Sequence, residues 1–484
     1  MSLSEMQLAQ AAVDKAQALG ASYADARVTN LHTEQLRRRN GALSDATECY
    51  DRGLGVRVLV DGAWGFAALD DLGESAAGSA AERAVQLARS LGGARTRAVE
   101  LASKADGVGE FRTPVEIDPF EVPLADKLDL LAAAEESLAG AEHVVAREAS
   151  LRSRSEEQWF ASSEGAAQYQ HLLRTGAGIS ATAAKNGIVQ RRSWPASFGG
   201  NYRAGGWEHI LGMDLASHGQ RIRDEAVLLC EADVCPAGER DLILMGNQLM
   251  LQIHESVGHP NELDRVYGEE VDLAGSSFAL PEMVDSFQYG SEHVNLVADS
   301  TIPGGLDTRG WDDDGIASGR WNVVEKGIFR GYHTSREWAA RGGPGALLHP
   351  ASRAEGWFNM PIVRITNLSL MPGSWKLEDL VADTEDGVIC DTVKMWSIDQ
   401  RRLNFQFTTE LAWEIKNGKR TRMLRNPTYQ GTTPTFWRSC DAICDESHWD
   451  LWGVINCGKG NPVQTAEMSH GASPARFRGV TFVA

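Results

Sequence analysis

The chain has 484 residues, 23% of them charged and 43% hydrophobic, with a formal net charge of -19. That length exceeds one compact core, so two domains are expected, and the composition is that of an ordinary globular protein. The acidity excludes an extended phosphate-neutralising face. The one basic run, Arg37-Arg38-Arg39, reads as a solvated strand end, so nucleic acid is not expected as a partner.

Seven cysteines spread from Cys49 to Cys457 do not make a disulfide framework, and neither Cys230/Cys235 nor Cys440/Cys444 has zinc-knuckle spacing. Most of them are expected to be reduced and buried, as in a cytoplasmic protein. The first twenty residues lack the basic start and apolar core of a signal peptide, and no run of 18 apolar residues occurs. A cytoplasmic location without membrane contact is the expectation.

Leu3 to Leu19 carries apolar residues at helical spacing and ends at Gly20. Val56–Val60 and Ala63–Ala67 flank Asp61-Gly62, which predicts a hairpin. Ser75 to Leu91 and Leu124 to Leu138 read as helices, and Val144–Leu151, Gln158–Ser163 and Gly176–Ala184 as strands. A helix over Met213 to Glu231 leads to the connector Pro236-Ala237-Gly238. The short apolar strand Asp241–Met245 follows, and Asn247 is placed to cap a helix running from Gln248 to His259. Beyond it strand-like runs dominate: Pro361–Leu370, Gly387–Ile389, Leu403–Phe407 and Thr409–Ile415, with a turn at Asn417-Gly418. The expected fold class is α+β with two domains. Residues 1–235 form an N-terminal mixed α/β domain. Residues 236–484 form a C-terminal, mainly β catalytic domain that carries the metal-site helix.

That helix ends on His254-Glu255-Ser256-Val257-Gly258-His259, one residue longer than the zinc-protease pattern His-Glu-x-x-His. In a regular α-helix, positions i and i+5 diverge by roughly 140°, so the two imidazoles could not share an ion. A π-type insertion or a helix end at Val257–Gly258 removes that objection. Gly258 is suited to the local strain, and Pro260 stops the helix. Zinc hydrolysis needs three protein ligands, an open position and a base. His254 and His259 supply two ligands and Glu255 the base. The third comes from Glu262, from Asp264, or from Cys457 in the glycine-rich stretch 456–462, where Lys459 favours thiolate. Asp312-Asp313-Asp314 lacks the spacing of a calcium loop and reads as an acidic turn.

The chain resembles the TldD/PmbA family of zinc-dependent peptidases, and among them the metal-bearing TldD type. The resemblance runs through Gly55–Ala67, Ser162–Gly165, His254–His259 with Glu262 and Asp264, Asp313–Gly315, Arg364–Asn367, Met371–Gly373 and Cys457–Gly460. It implies His254, His259 and Cys457 as ligands of Zn2+ and Glu255 as general base, with zinc-bound water attacking the peptide carbonyl. It also implies short or unfolded peptides as substrates, and a dimer, either a homodimer or a heterodimer with a PmbA/TldE-like subunit. The alternative is a non-hydrolytic peptide-binding or partner subunit with a structural or vestigial metal site. A third reading, modulation of DNA gyrase, follows an old family label and is opposed by the net acidity. The chain departs from the family pattern at Val388–Asp391, at Met395-Trp396-Ser397 and around Cys440, Cys444, Trp449 and Trp452. Those segments are expected to line the substrate cleft.

Overall fold

The structure is a computed structural model that describes residues 4–92, 97–102 and 107–483. Its first helix, Glu5–Ala18, starts at Ser4, whose side chain accepts from the Gln7 N–H while the Gln7 side chain accepts from the Ser4 N–H. This reciprocal cap satisfies two donors that a helix start leaves open. The expected first residue, Leu3, lies outside the described residues.

The N-terminal half is built on one eight-stranded sheet. Its central strands Tyr23–Arg39, Ala42–Val60, Val144–Ser162 and Ala167–Lys185 are long and antiparallel. Asp61 and Gly62 take φ of 50° and 75°, the left-handed pair that a tight hairpin turn requires, and they set Val60 opposite Ala63. Two helices, Glu5–Ala18 and Glu74–Leu91, bury small residues such as Ala9, Ala12, Ala80 and Ala84 against Val28, Val56 and Val58 of the sheet. Further along, Leu131, Ile222 and Ala226 from helices Leu124–Glu136 and Leu215–Glu231 cover Leu36, Leu151 and Ile179.

Two expected strands, Val144–Leu151 and Gln158–Ser163, are one strand, Val144–Ser162. The polar run between them breaks the apolar alternation, yet it is not a loop. Its side chains enter ion pairs: Glu156 with Arg174 at 3.0 Å, and Arg152 with Glu467 of the C-terminal half at 3.3 Å. Ion pairs across the two halves thus replace the apolar face that the pattern reading needs.

In the C-terminal half, strands Asp386–Ile398, Gly238–Leu244, Ala475–Val483, Thr428–Thr432 and Asn404–Lys416 pair in that order. The last also pairs with the first, so the sheet closes on itself and removes those edges. Leu242, Leu244, Val388, Phe407, Tyr429 and Phe477 fill the enclosed core. The helix Gly246–Ile253 follows directly from the Gly238–Leu244 strand and is buried along its whole length. Met245, not Asn247, occupies its N-cap. Asn247 lies inside the first turn, where its amide nitrogen donates to the Pro195 carbonyl at 3.2 Å and the Thr392 hydroxyl at 3.0 Å. It ties the helix to its neighbours instead of capping it. Among the described residues, no helix is long and apolar enough to cross a membrane.

The acidic triplet is not a surface turn. Asp312, Asp313 and Asp314 are all buried between the halves. Asp313 meets Arg27 at 3.2 Å and accepts from Gln158 at 2.8 Å, and Arg57 bridges Asp25 and Asp314 at 2.6 and 2.8 Å. Glycine at 55 belongs to the same contact, because a Cβ there would sit 2.1 Å from the Trp357 carbonyl oxygen.

Candidate metal centre

After Ile253 the helix changes pitch. Residues His254–Gly258 form a π-turn in which the His259 N–H bonds to the His254 carbonyl, five residues back. A short 3₁₀ turn, His259–Asn261, follows with Pro260 in its first turn, and Glu262 is extended. The carbonyls loosened by this change have side-chain partners. Tyr289 donates to the Ser256 oxygen at 2.5 Å and Asn261 to that of Val257 at 2.8 Å. Gly258 has φ −60°, so the turn does not need glycine for backbone freedom. Space is the reason, since a Cβ at 258 would meet Ile365 at 2.6 Å.

The wider turn brings the two imidazoles to one side, with ring centroids 4.7 Å apart. Cys457 joins them from the strand Asp450–Lys459, where it sits opposite Ala466 of the strand Gln464–Ala472. The stretch 456–462 therefore begins as a paired strand and not as a loop. Ligand atoms of His254, His259 and Cys457 lie within 4.8 Å of one another, and the three residues are 3%, 4% and 5% exposed. Cys457 Sγ and His259 Nε2 are 3.6 Å apart. Tetrahedral zinc with bonds of about 2.0–2.3 Å separates its ligands by about 3.5 Å, so this spacing fits.

The hydrogen bonds behind the imidazoles decide which nitrogen faces the site. His470 Nδ1 lies 2.8 Å from the Leu368 carbonyl, which can only accept. His470 Nδ1 therefore carries its proton, and burial holds this ring neutral by pushing its pKa well below the usual value. Its Nε2 must then accept from His254 Nδ1, 2.8 Å away, which leaves the His254 Nε2 lone pair free. His259 Nδ1 donates to Glu262 Oε2 at 2.9 Å, again freeing Nε2. Glu262 is fully buried. Burial alone would raise its pKa, but Lys459 and His259 hold it well below the usual carboxylate range. At Cys457, burial favours the thiol, and the His259 imidazole and Arg364 outweigh it, so its pKa is lowered.

Lys459 is not the cation beside the thiol. Its ammonium binds Asp264 at 2.7 and 2.8 Å, the Val363 carbonyl at 2.6 Å and Glu262 at 3.3 Å. Asp264 and Glu262 thus support the centre from behind and are not among its grouped donors.

Glu255 lies beside the three donors and is ionised. Burial opposes its charge, but His259, His254 and Arg402 outweigh it and lower its pKa. Trp396 Nε1 donates to its Oε1 at 3.0 Å and Arg402 Nη1 to its Oε2 at 3.4 Å. All four residues line a cavity of about 170 Å³. That cavity shares Phe198, Ile455 and Asn456 with a larger cleft of about 530 Å³, which runs along the N-terminal sheet past Arg152 and Ser180. Of the segments expected to line the cleft, Trp396 does so, whereas Val388, Ile389, Cys390, Cys440 and Cys444 are core residues. The sequence reading missed His470 and Arg402. Neither sits in a local motif, and His470 is 216 residues from its partner.

Sequence profiles described as PmbA/TldA metallopeptidase domain 1, central domain and C-terminal domain match residues 24–88, 117–229 and 239–483. A metalloprotease of Methanocaldococcus jannaschii is 26% identical over 443 residues, covering 90% of this chain and 92% of that protein. A metalloprotease TldD homologue of Haemophilus influenzae is 25% identical, covering 87% and 84%. The crystal structure of TldE from Thermococcus kodakarensis shares the fold, with a TM-score of 0.74 at 15% identity over 99% of this chain and 100% of that one. The chain belongs to the PmbA/TldD metallopeptidase family.

Proposed function

We propose that this chain is a zinc-dependent metallopeptidase that hydrolyses short or unfolded peptides, with His254, His259 and Cys457 as ligands and Glu255 as general base. The observation that carries the reading is the placement of Glu255 in the same cavity as three buried donors whose ligand atoms lie within 4.8 Å of one another. Two imidazoles and a thiolate suit zinc better than magnesium or calcium, which prefer oxygen. When bound, zinc supplies Lewis acidity and lowers the pKa of a water molecule.

The remaining work falls to the chain. His470 and Glu262 fix the tautomers of the two histidines, so no proton occupies the ligand positions. A thiolate donates more charge than a carboxylate or an imidazole and acidifies water less, which places more of the deprotonation on Glu255. Trp396 and Arg402 hold that carboxylate in place. Extended, unfolded chain suits the larger cleft, which passes between sheet and hairpin.

The alternative, a non-hydrolytic partner subunit with a vestigial site, leaves Glu255 without a task, since a structural zinc site needs no base. Metal analysis joined to peptide-library cleavage by the isolated chain tests the proposal. Stoichiometric zinc with cleavage supports it. A zinc-loaded chain that cuts nothing supports the alternative.

A further inference from the structure

Among the described residues lining the small cavity, Arg402 is the only lysine or arginine. Its backbone has φ 59°, in the left-handed region that side chains other than glycine rarely adopt and that clusters at functional sites. The turn around it enforces this conformation. The Arg402 N–H bonds to the Asp399 carbonyl at 2.9 Å, while the Asp399 carboxylate accepts from the Leu403 and Asn404 N–H groups at 2.8 and 3.1 Å. Thr433 Oγ1 donates to the Arg402 carbonyl at 2.8 Å.

The side chain so aimed is 14% exposed and meets Glu255 at 3.4 Å through Nη1, and its buried Nε has no hydrogen-bond partner. A loose contact to the base and an unused N–H on a largely buried side chain leave donors available for a third group. Glu255 does not depend on Arg402 alone for its position, because Trp396 holds its other oxygen.

We propose that Arg402 is a catalytic residue that donates to the carbonyl oxygen of the scissile bond as negative charge develops there; this rests on the peptidase reading above. In that reaction the water oxygen bonds to the carbonyl carbon and its proton passes to Glu255. The carbonyl π electrons move to the oxygen, which Arg402 meets. The C–N bond then breaks as Glu255 returns the proton to the departing nitrogen, giving a carboxylic acid and an amine, and transfer of the acid's remaining proton to the amine leaves a carboxylate and an ammonium. A preorganised donor of this kind acts mainly in the transition state, so its loss lowers kcat more than it raises KM.

The test compares the full-length, metal-loaded wild type with Arg402→Met and Arg402→Lys on a peptide identified by library cleavage. A phosphinic peptide, whose charged oxygens mimic the developing oxyanion, supplies a readout that is not turnover. Arg402→Met should keep its zinc content and Tm, lose kcat by about 10²–10³-fold with little change in KM, and bind the phosphinic peptide more weakly by a similar factor. Arg402→Lys should recover part of both losses, because it keeps the charge and loses the fork. If Arg402→Met turns over like wild type, or loses turnover yet binds the phosphinic peptide undiminished, Arg402 is no oxyanion donor. A zinc-loaded wild type that cleaves nothing overturns the peptidase reading and this role with it.

Discussion

His470 Nε2 lies 2.8 Å from His254 Nδ1, and both rings are buried. One histidine that faces no ligand position therefore determines which nitrogen of another does. The order of protons runs from the Leu368 carbonyl through His470 to His254. Any change that reverses it would put a proton on the lone pair that a metal needs.

Replacing His470 with alanine should weaken zinc binding by about 10–100-fold, the usual effect of losing a partner behind a ligand. His470→Gln should lose less, since its amide can both accept from His254 and donate to Leu368. Cys457→Ala removes a donor outright and should cost more than either. Competition with a chromogenic chelator measures all three. Equal affinity in wild type and His470→Ala would show that the His254 tautomer is fixed elsewhere.

The contact between the two halves is ionic and buried, which makes it vulnerable to single deletions. Asp313 accepts from Gln158 and from the Ala354 N–H while meeting Arg27, and the Arg27 and Asp313 side chains are 4% and 3% exposed. Asp313→Ala strands Arg27 in a dry interface and should destabilise the fold by about 3–5 kcal/mol. Denaturant titration of the metal-free protein checks this. A loss below about 1 kcal/mol would mean that water reaches the interface.

His333 is fully buried, neither of its ring nitrogens has a hydrogen-bond partner, and burial pushes its pKa down to about 3. The folded pKa lies below the ordinary value of about 6.5, so the unfolded state binds the proton first as pH falls. Its contribution is fully present above pH 6.5 and is lost as pH drops towards 3, at up to about 1.4 kcal/mol per pH unit. His333→Phe gives up no hydrogen bond and removes that proton. Its stability should match wild type near pH 8 and exceed it increasingly between pH 6 and pH 4.5. Parallel pH profiles for the two proteins would contradict the burial argument.

Local chemistry explains what the sequence reveals and what it hides. The Asp61-Gly62 hairpin and the helices near Glu5–Ala18 and Leu124–Glu136 follow from turn residues and 3.6-residue periodicity, which act over a few positions. The extra residue between His254 and His259 likewise calls for a π-type insertion or a helix end if the rings are to meet, and the structure has the π-turn. Long-range pairing was not legible. Nothing near Asp312–Asp314 signals Arg27 and Arg57, some 260 to 290 residues earlier in the chain, so a buried ionic contact reads as an exposed turn. Lys459 misleads for the same reason. Its nearness in sequence to Cys457 suggests an electrostatic partner, whereas Asp264 claims its ammonium. His470 and Arg402 enter the site only through tertiary contact.

The most direct test of the account is the turnover of zinc-loaded Glu255→Gln on a peptide that the wild type cleaves. Glutamine keeps the size of the side chain and its hydrogen bond from Trp396 but cannot take a proton. The account predicts full zinc occupancy with turnover reduced by about 10²–10⁴-fold, the range for loss of a general base. Wild-type turnover in the zinc-loaded variant would contradict it.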